Sequence, residues 1–320
     1  MAHTGESMDS LNRQAVELVD ELLEFAPALD VRAVELAAGT TVIDCGVETV
    51  GSIGAGLLCA EIQTAGLAGL STPLQPVAGV PLPHVQLTTD HPALALLGAQ
   101  KAGWELSFDN PPFEGLGSGP ARALVATESE YRAMEYVDAF DMAVLAVEAA
   151  TLPDDRVTTA VADAADVAPS ALFMPAYATA SITGSVAAAA RAPELALFRL
   201  FELGYDITQV LTATGTAPIA PVAGDEQTAL ARTNDALAYG STVHLTVARD
   251  DPVLEAVASQ ATAAYGQPFA EIFASVDWDF YALEPGLFAP AEVTVSVLGG
   301  PTYHVGGRDQ ALVAASFDTA

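Results

Sequence analysis

The spacing of apolar and polar residues predicts alternating helices and strands along most of the chain. Between residues 9 and 25, apolar side chains recur every three or four positions with acidic side chains between them, a pattern typical of an amphipathic surface helix. Residues 31–36 and 40–45 have strand composition and flank Gly39, so they predict a hairpin. The order strand, helix, strand, helix over residues 142–203 indicates mixed α/β structure.

Glycine and proline mark the ends of several predicted elements. Residues 207–213 have strand composition, and the threonine, glycine and proline residues at 214–221 indicate a loop after them. Residues 90–92 read Asp-His-Pro, which is typical of a helix start and predicts a helix from there to Lys101. Residues 253–263 predict a further helix.

The length of the chain predicts two domains. At 320 residues the chain exceeds the roughly 250–300 residues at which a single core stops growing. We expect two α/β domains with mixed sheets, residues 1–175 and 176–320, around an interdomain pocket, with segments free to cross the division. Three uncharged spans, residues 62–89, 167–190 and 207–223, mix glycine, proline, and serine or threonine with apolar residues, and we expect such spans to line the pocket.

Charge is the strongest compositional signal. The 41 acidic and 11 basic residues give a formal net charge of -30, and the acids are dispersed along the chain. Such a surface repels itself at low ionic strength, and salt relieves the repulsion because the Debye length falls to about 3 Å at 1 M. The composition therefore predicts a protein that works in concentrated salt. It disfavours nucleic-acid binding, which needs a basic stripe.

The cysteine content and the apolar runs exclude further classes of protein. Two cysteines, Cys45 and Cys59, are too few for a disulfide framework and too sparse for a metal site. No basic segment followed by an apolar core opens the sequence, so we expect a cytoplasmic protein. Prolines interrupt residues 62–89, which is incompatible with a membrane helix there. We expect no membrane partner.

Arg191 and Glu194 stand out because they end the uncharged run of residues 167–190. Their spacing places both side chains on one face of a helix. The carboxylate could be a general base, since burial favours the protonated acid and a neighbouring guanidinium favours the carboxylate. Alternatively, the two residues form an exposed ion pair at a helix start, with Pro193 in the first turn, where its missing N–H is unimportant.

Two further features point to an anionic ligand. Lys101 is the only lysine of the chain, and a site that needs a cation is one reason to keep it; a favourable position at a helix C-terminus is another. Residues 117–122 read Gly-Ser-Gly-Pro-Ala-Arg, and their N–H groups together with Arg122 could hold an anion. This segment distantly resembles the phosphate loop of small-metabolite kinases, although Pro120 removes a donor.

Six sequence blocks, spread over nearly the whole chain, are long enough to compare with known families. They are Thr41-Val-Ile-Asp-Cys-Gly46, Thr88-Thr-Asp-His-Pro92, Ala99-Gln-Lys-Ala-Gly-Trp104, Gly117-Ser-Gly-Pro-Ala-Arg122, Thr179-Ala-Ser-Ile-Thr-Gly-Ser185 and Pro285-Gly-Leu-Phe-Ala-Pro-Ala-Glu292. In this order they resemble the methenyltetrahydromethanopterin cyclohydrolases. The acidic, lysine-poor composition resembles that of a haloarchaeal member.

The resemblance implies reversible hydrolysis of the cyclic methenyl cation of a tetrahydropterin carrier to its formyl derivative. It implies a cytoplasmic homotrimer with neither a metal nor a redox cofactor. The base Glu of the family and the Arg three residues before it correspond to Glu194 and Arg191; Pro193 departs from the family pattern. The blocks and the uncharged spans suggest seven substrate contacts: Asp90, Lys101, Ser118, Gly119, Thr179, Ser181 and Thr183.

Three alternatives stay open at this point. The carrier could be a tetrahydrofolate, because both carriers present the same reacting ring. The chain could be a phosphoryl-transfer enzyme that uses residues 117–122, which would require ATP and magnesium. It could also bind a pterin or another anion without turnover.

Overall fold

The computed structural model describes residues 10–278 and 282–319, and its strands form two seven-stranded sheets. The strands are β1 (Arg32–Glu35), β2 (Thr41–Asp44), β3 (Gly69–Ser71), β4 (Leu74–Val77), β5 (Val80–Thr89), β6 (Trp104–Asp109), β7 (Pro112–Ser118), β8 (Ala143–Val144), β9 (Ala146–Glu148), β10 (Leu172–Tyr177), β11 (Val210–Pro218), β12 (Thr242–Val247), β13 (Glu292–Val297) and β14 (Thr302–Gly306).

Helices cover both sheets. The α-helices are α1 (Leu11–Glu24), α2 (Ala26–Leu29), α3 (Ile53–Gln63), α4 (Ala121–Val125), α5 (Ser129–Met134), α6 (Asp155–Ala165), α7 (Ile182–Ala189), α8 (Ala192–Glu202), α9 (Glu226–Gly240), α10 (Phe269–Ser275) and α11 (Gln310–Ser316). A π-helix spans Ala93–Gln100, and short 3-10 helices span Pro169–Ala171, Ile207–Gln209, Pro252–Ala256, Ser259–Ala261 and Pro285–Leu287.

Sheet 1 has the order β1-β2-β10-β9-β7-β6, with β8 paired to β10. Strand β10 runs parallel to β2, β8 and β9, whereas β1, β6 and β7 pair antiparallel with their neighbours. The carboxyl ends of β9 and β10 therefore meet at one edge of the sheet. Glu148, at this edge, and residues of helix α8 line the same cavity.

Sheet 2 has the order β14-β13-β12-β11-β5-β3, with β4 paired to β5. Only β12 and β13 run parallel. Helix α8 packs on β11 and β12, and its Leu197 and Leu200 belong to the same buried cluster as Val243 and Leu245 of β12. The mixed sheets confirm the predicted α/β class. Strands β3 to β5 join sheet 2 from residues 69–89, so sheet membership crosses residue 175.

Several predicted elements are confirmed. Strands β1 and β2 form the hairpin around Gly39, whose φ of 100° favours glycine. Helix α1 covers most of the predicted first helix, with the Ser10 side chain accepting the Arg13 N–H at 3.2 Å; residue 9 lies outside the described residues. The helix predicted up to Lys101 is present as the π-helix, and Lys101 caps its end.

Two predictions were wrong because tertiary contacts override local sequence. The predicted loop at 214–221 is strand up to Pro218, since β11 pairs with both β5 and β12. The predicted helix at 253–263 consists of two 3-10 turns. Hydrogen bonds from Ser259 to distant carbonyl groups, from its N–H to Pro290 and from its hydroxyl to Ala238, interrupt the continuous helix.

Candidate active site

Helix α8 begins in a way that fixes Arg191 and Glu194 beside each other. Arg191 is the N-cap residue, Pro193 lies in the first turn, and Glu194 follows it there. Proline at this position costs no hydrogen bond, and a carboxylate in the first turn is stabilised by the helix dipole. A Cβ atom added at Gly215 of β11 would lie 2.6 Å from Pro193 Cγ, so glycine makes room for the proline.

The two side chains form a close and unequal ion pair. Nε and Nη2 of Arg191 both donate to Oε2 of Glu194, at 2.9 and 2.7 Å. The Glu194 side chain is 1% exposed and the Arg191 side chain 24%. Within residues 10–278 and 282–319, Oε1 of Glu194 has no hydrogen-bond partner. One carboxylate oxygen is thus committed to Arg191, and the other is available to a ligand.

Arg191 and Glu194 line a cavity of about 710 Å³. Its walls come from β6, β7 and β9 of sheet 1, from helices α7 to α9, and from the segment that follows α10. Aromatic side chains of Phe198, Trp278 and Phe288 contribute apolar surface. A cleft of this volume with an apolar wall and a few convergent polar groups is typical of a small-molecule site.

Besides the exposed Glu105 and Glu114, a more buried carboxylate, Glu148 at the end of β9, lines the same cavity. The Thr179 hydroxyl donates to Glu148 Oε1, and the Thr179 N–H donates to Glu226 Oε2 at 3.1 Å. Burial raises the pKa of Glu148, and the nearby Glu226 adds to that; the Thr179 hydrogen bond and the charge of Arg191 work in the opposite direction without cancelling it.

Arg191 interacts electrostatically with both Glu194 and Glu148. Burial opposes its charge, but Glu194 first and then Glu148 favour it, so the pKa of the Arg191 guanidinium lies above its ordinary value. Arg191 is therefore a permanent cation beside two acidic side chains.

The structure brings four of the predicted site residues to the cavity wall: Arg191, Glu194, Thr179 and Lys101. Lys101 Nζ is paired with Glu130 and, at 3.1 Å, with Glu128. It also lies 4.7 Å from the centre of the Phe198 ring. Its charge is thus largely compensated within the protein, although the side chain still borders the cavity.

The other predicted contacts lie away from the cavity. Asp90 is exposed beyond the end of β5, and Thr183 is fully buried in α7. The Ser118 hydroxyl donates to the Gln100 carbonyl, and the Gly119 N–H donates to the Ala99 carbonyl at 2.8 Å. Ser181 caps α7 by accepting the Gly184 N–H at 2.9 Å. Four of these five residues, all but Asp90, are buried within the protein.

The segment 117–122 does not present an anion cradle. Gly117 and Ser118 pair within sheet 1, and the Arg122 side chain is 1% exposed. Its guanidinium donates to both oxygens of Glu128, at 2.9 and 2.7 Å, and to the carbonyl groups of Ala99 and Leu97. Arg122 is a structural cation, so a phosphate-binding interpretation of this segment lacks its main donor.

Sequence reasoning missed Glu148 and the aromatic wall. Glu148 directly follows the buried run that ends at Val147. A charged residue at the carboxyl end of a strand that has parallel neighbours is a signal for a site in α/β proteins. Trp278 and Phe288 carry no such signal, because only the tertiary fold brings them over α8.

Similarity to known proteins extends over almost the whole chain. The model of the family described as cyclohydrolase (MCH) matches residues 10–317. The chain belongs to this cyclohydrolase family. Its candidate base and arginine thus lie inside the region that the family model covers.

Members of the family in archaea are similar over their full length. A protein of Halobacterium salinarum named methenyltetrahydromethanopterin cyclohydrolase is 56% identical over 310 residues, which cover 97% of this chain and 99% of that protein. A protein of Methanothermobacter marburgensis with the same name is 39% identical over 320 residues, with 97% and 99% covered. The resemblance inferred from the six sequence blocks is confirmed.

Two structural features bear on partners. Among residues 10–278 and 282–319, no three His, Cys, Asp or Glu side chains are grouped in a way that could hold a metal ion. In the same part of the chain, no helix has the length and apolar character needed to cross a membrane.

Proposed function

We propose that this chain hydrolyses methenyltetrahydromethanopterin to formyltetrahydromethanopterin, reversibly, with Glu194 as the general base. The relatives carry the name of this reaction, and the observation that supports the role of Glu194 is its geometry. The carboxyl group is buried, one of its oxygens is held by Arg191, and the residue lines a ligand-sized cavity.

The chemistry requires little activation of the substrate. The methenyl carbon lies between two nitrogens in an amidinium cation, so it is already an electrophile. A water molecule must lose a proton as it attacks, and a carboxylate within hydrogen-bond reach can accept that proton. An anionic Glu194 also stabilises the positive ring before attack.

Arg191 has two tasks in this proposal. Burial of a carboxyl group favours its neutral form, and a guanidinium in direct contact favours the anion. The two donors of Arg191 converge on one oxygen of Glu194, so they also fix the direction of the free oxygen. Arg191 is therefore both a charge partner and a positioning residue for the water.

The proposal includes a cytoplasmic homotrimer that needs neither a metal nor a redox cofactor. These points rest on the family resemblance. Light scattering of the purified protein in molar KCl tests the trimer, and activity after exhaustive dialysis against a chelator tests the metal. A monomer, or loss of activity that zinc or magnesium restores, would remove the corresponding part of the proposal.

The activity itself is tested by mixing the purified chain with methenyltetrahydromethanopterin in molar KCl. The ultraviolet absorbance of the methenyl group should disappear as the formyl product forms. Methenyltetrahydrofolate, assayed in parallel, should react more slowly. Absence of turnover on both carriers by a folded protein would overturn the proposed function.

A further inference from the structure

Glu148 lines the same cavity as Glu194. It is the last residue of β9, where it pairs with Tyr177 of β10 and with Leu116 of β7. Sheet 1 also supplies Glu105 and Glu114 to the cavity wall, but both are exposed, whereas Glu148 is largely buried. Helix α8 on sheet 2 supplies Glu194. The proposed substrate, bound in this cavity, would have both Glu148 and Glu194 in its surroundings.

The two carboxylates have different partners. Both donors of Arg191 that contact Glu194 go to a single oxygen of that residue. Glu148 makes no ion pair in the described part of the chain; its Oε1 accepts a hydrogen bond from Thr179. A hydroxyl group stabilises a carboxylate less than a guanidinium does. Glu148 is therefore the carboxyl group of the two that a proton can occupy at lower cost.

The groups that face Glu148 favour this proton. Burial and the negative charge of Glu226 raise the pKa of Glu148, against the effects of Thr179 and Arg191. Tyr177, its neighbour on β10, is buried, and burial together with Glu148 raises the pKa of the Tyr177 phenol well above its ordinary value. The phenol thus stays neutral beside Glu148.

Hydrolysis of a cyclic amidinium needs an acid as well as a base. Attack of water converts the cation to a neutral carbinolamine, in which the former methenyl carbon carries a hydroxyl group. The ring opens only when one C–N bond breaks, and an amine nitrogen leaves readily only if it receives a proton. A base on one side of the ring does not by itself supply that proton.

We propose that Glu148 is a second catalytic residue, the general acid that protonates the leaving ring nitrogen. This inference rests on the proposed function. Glu194 removes the proton needed for attack from the α8 side, and Glu148 delivers the proton needed for ring opening from the β9 side. Thr179 holds the Glu148 carboxyl group in place through its hydroxyl hydrogen bond.

The steps balance in atoms and charge. Water adds to the methenyl carbon, its first proton goes to Glu194, and the C=N electron pair moves to nitrogen. Glu194 then releases that proton to solvent. In the second step the carbinol O–H proton goes to Glu194, a C=O bond forms, the C–N bond breaks, and the nitrogen takes the proton of Glu148. Solvent water returns a proton from Glu194 to Glu148, so each turnover consumes one water and releases one proton.

The test separates the two steps in a single turnover of Glu148→Gln. Stopped-flow absorbance reports attack as loss of the methenyl chromophore, and rapid quenching reports ring opening as formyl product. We expect product formation to slow by at least ~10²-fold, the scale of general acid catalysis, while chromophore loss slows much less. Tryptophan fluorescence, to which Trp278 in the cavity wall contributes, should show unchanged substrate binding.

Glu61→Gln is the matched control. Glu61 is a partly buried carboxyl group on α3 whose pKa is also raised by burial, and it is not part of the cavity wall. Both rates should remain within about twofold of wild type, since substitutions away from a site are nearly neutral.

The pH dependence of product formation gives a second readout, which does not depend on the stability of one variant. In wild type the rate of ring opening should fall as pH rises through the pKa of Glu148. Glu148→Asp keeps an acid and should retain this fall with a reduced rate, whereas Glu148→Gln should lose it. A fall that persists in Glu148→Gln would assign it to another group and overturn the proposal.

Other outcomes are equally decisive. Equal slowing of both steps in Glu148→Gln would place the residue in attack or positioning and overturn its role as the acid. Wild-type product formation in that variant would do the same. Failure of the wild-type protein to consume the methenyl chromophore would instead refute the proposed function, which distinguishes the two failures.

Discussion

Helix α8 carries the same Arg-x-x-Glu spacing twice, with different results. Arg191 and Glu194 lie at its start, 2.7 Å apart, with the Glu194 side chain 1% exposed. Arg199 and Glu202 lie at its end, 3.5 Å apart, with the Glu202 side chain 24% exposed. Only the first pair reaches the cavity. Spacing produces an ion pair at both places, and burial beside a cavity makes one of them a candidate base.

Asp235 supplies a third case, a buried carboxyl group without a cation. It is 1% exposed, and it accepts hydrogen bonds from the Phe269 N–H at 2.9 Å and from the Ser316 hydroxyl at 2.6 Å. Burial raises its pKa to about 6 against these hydrogen bonds. Glu194 and Asp235 are equally buried, so the guanidinium is the main difference between their surroundings.

The largest expected effect separates the two glutamates of α8. Glu194→Gln removes the proton acceptor and should lower kcat by at least ~10²-fold, the scale of general base catalysis, with little change in KM. Steady-state assays in molar KCl measure both parameters.

Glu202→Gln is the matched control on the same helix. Its kcat should stay within about twofold of wild type, because the pair at the end of α8 does not contact the cavity. Comparable losses in the two variants would mean that helix stability, and not proton transfer, explains the effect.

The next effect concerns Asp235, the buried carboxyl group without a cationic partner. Asp235 should titrate near 6 in a ¹³C NMR experiment. Because the folded-state pKa lies above the unfolded value of ~3.9, its contribution to stability is complete below about pH 4 and is lost as pH rises through about 6, by up to ~3 kcal/mol.

Asp235→Asn isolates this contribution from the rest of the acidic surface. Unfolding free energies of the two proteins, measured in urea from pH 4 to 7, should diverge in that window, with only the wild type losing this component. Parallel curves would mean that Asp235 remains ionised throughout, and that burial alone does not protonate a carboxyl group in this protein.

A smaller effect should distinguish the two arginines. Arg191→Met leaves the buried Glu194 charge without its partner. We expect a loss of about 2 kcal/mol, below the ~3–5 kcal/mol of a fully buried pair because Arg191 is partly exposed. Arg199→Met should cost less, about 1 kcal/mol, because its ion pair is longer, at 3.5 Å, and its carboxylate partner Glu202 is 24% exposed. Urea denaturation of both variants gives the comparison, and equal losses would remove the distinction between the pairs.

The smallest effect is the salt dependence of those two losses. Salt screens exposed charges strongly and buried ones weakly. Between 1 M and 3 M KCl, the loss caused by Arg191→Met should stay constant within ~0.5 kcal/mol, whereas that of Arg199→Met should decrease, because Glu202 is more exposed than Glu194. An Arg191→Met loss that disappears in high salt would show that the Glu194 charge is accessible to solvent.

The sequence was sufficient to predict those elements whose structure is set by interactions between residues close along the chain. The Gly39 hairpin could be predicted from its turn residue, and α1 from the helical spacing of its apolar residues. The pairing of Arg191 with Glu194 could be predicted from their three-residue spacing and from the uncharged run before them. Proline residues were less reliable indicators of where elements end. Pro218 lies within a paired strand, and Pro193 is accommodated at the start of α8 because Gly215, on a strand distant in sequence, has no side chain there.

The substrate contacts could not be predicted as well, and the reason is specific. Short polar residues in a sequence block that resembles the family can bond to the backbone as readily as to a ligand. Ser118 and Ser181 bond to main-chain groups, whereas Thr179 orients a carboxylate in the cavity. The sequence does not show whether a serine or threonine hydroxyl will bond to the main chain or to a group in the cavity, since that depends on tertiary contacts.

The most direct test of Glu194 is one measurement on Glu194→Gln mixed with stoichiometric methenyltetrahydromethanopterin in molar KCl. Simultaneous absorbance and tryptophan fluorescence would follow the methenyl group and the occupation of the cavity. We predict that the variant binds the substrate and that the methenyl absorbance persists for at least ~10²-fold longer than with wild type. Binding followed by loss of the absorbance at the wild-type rate would contradict the role of Glu194 as the base.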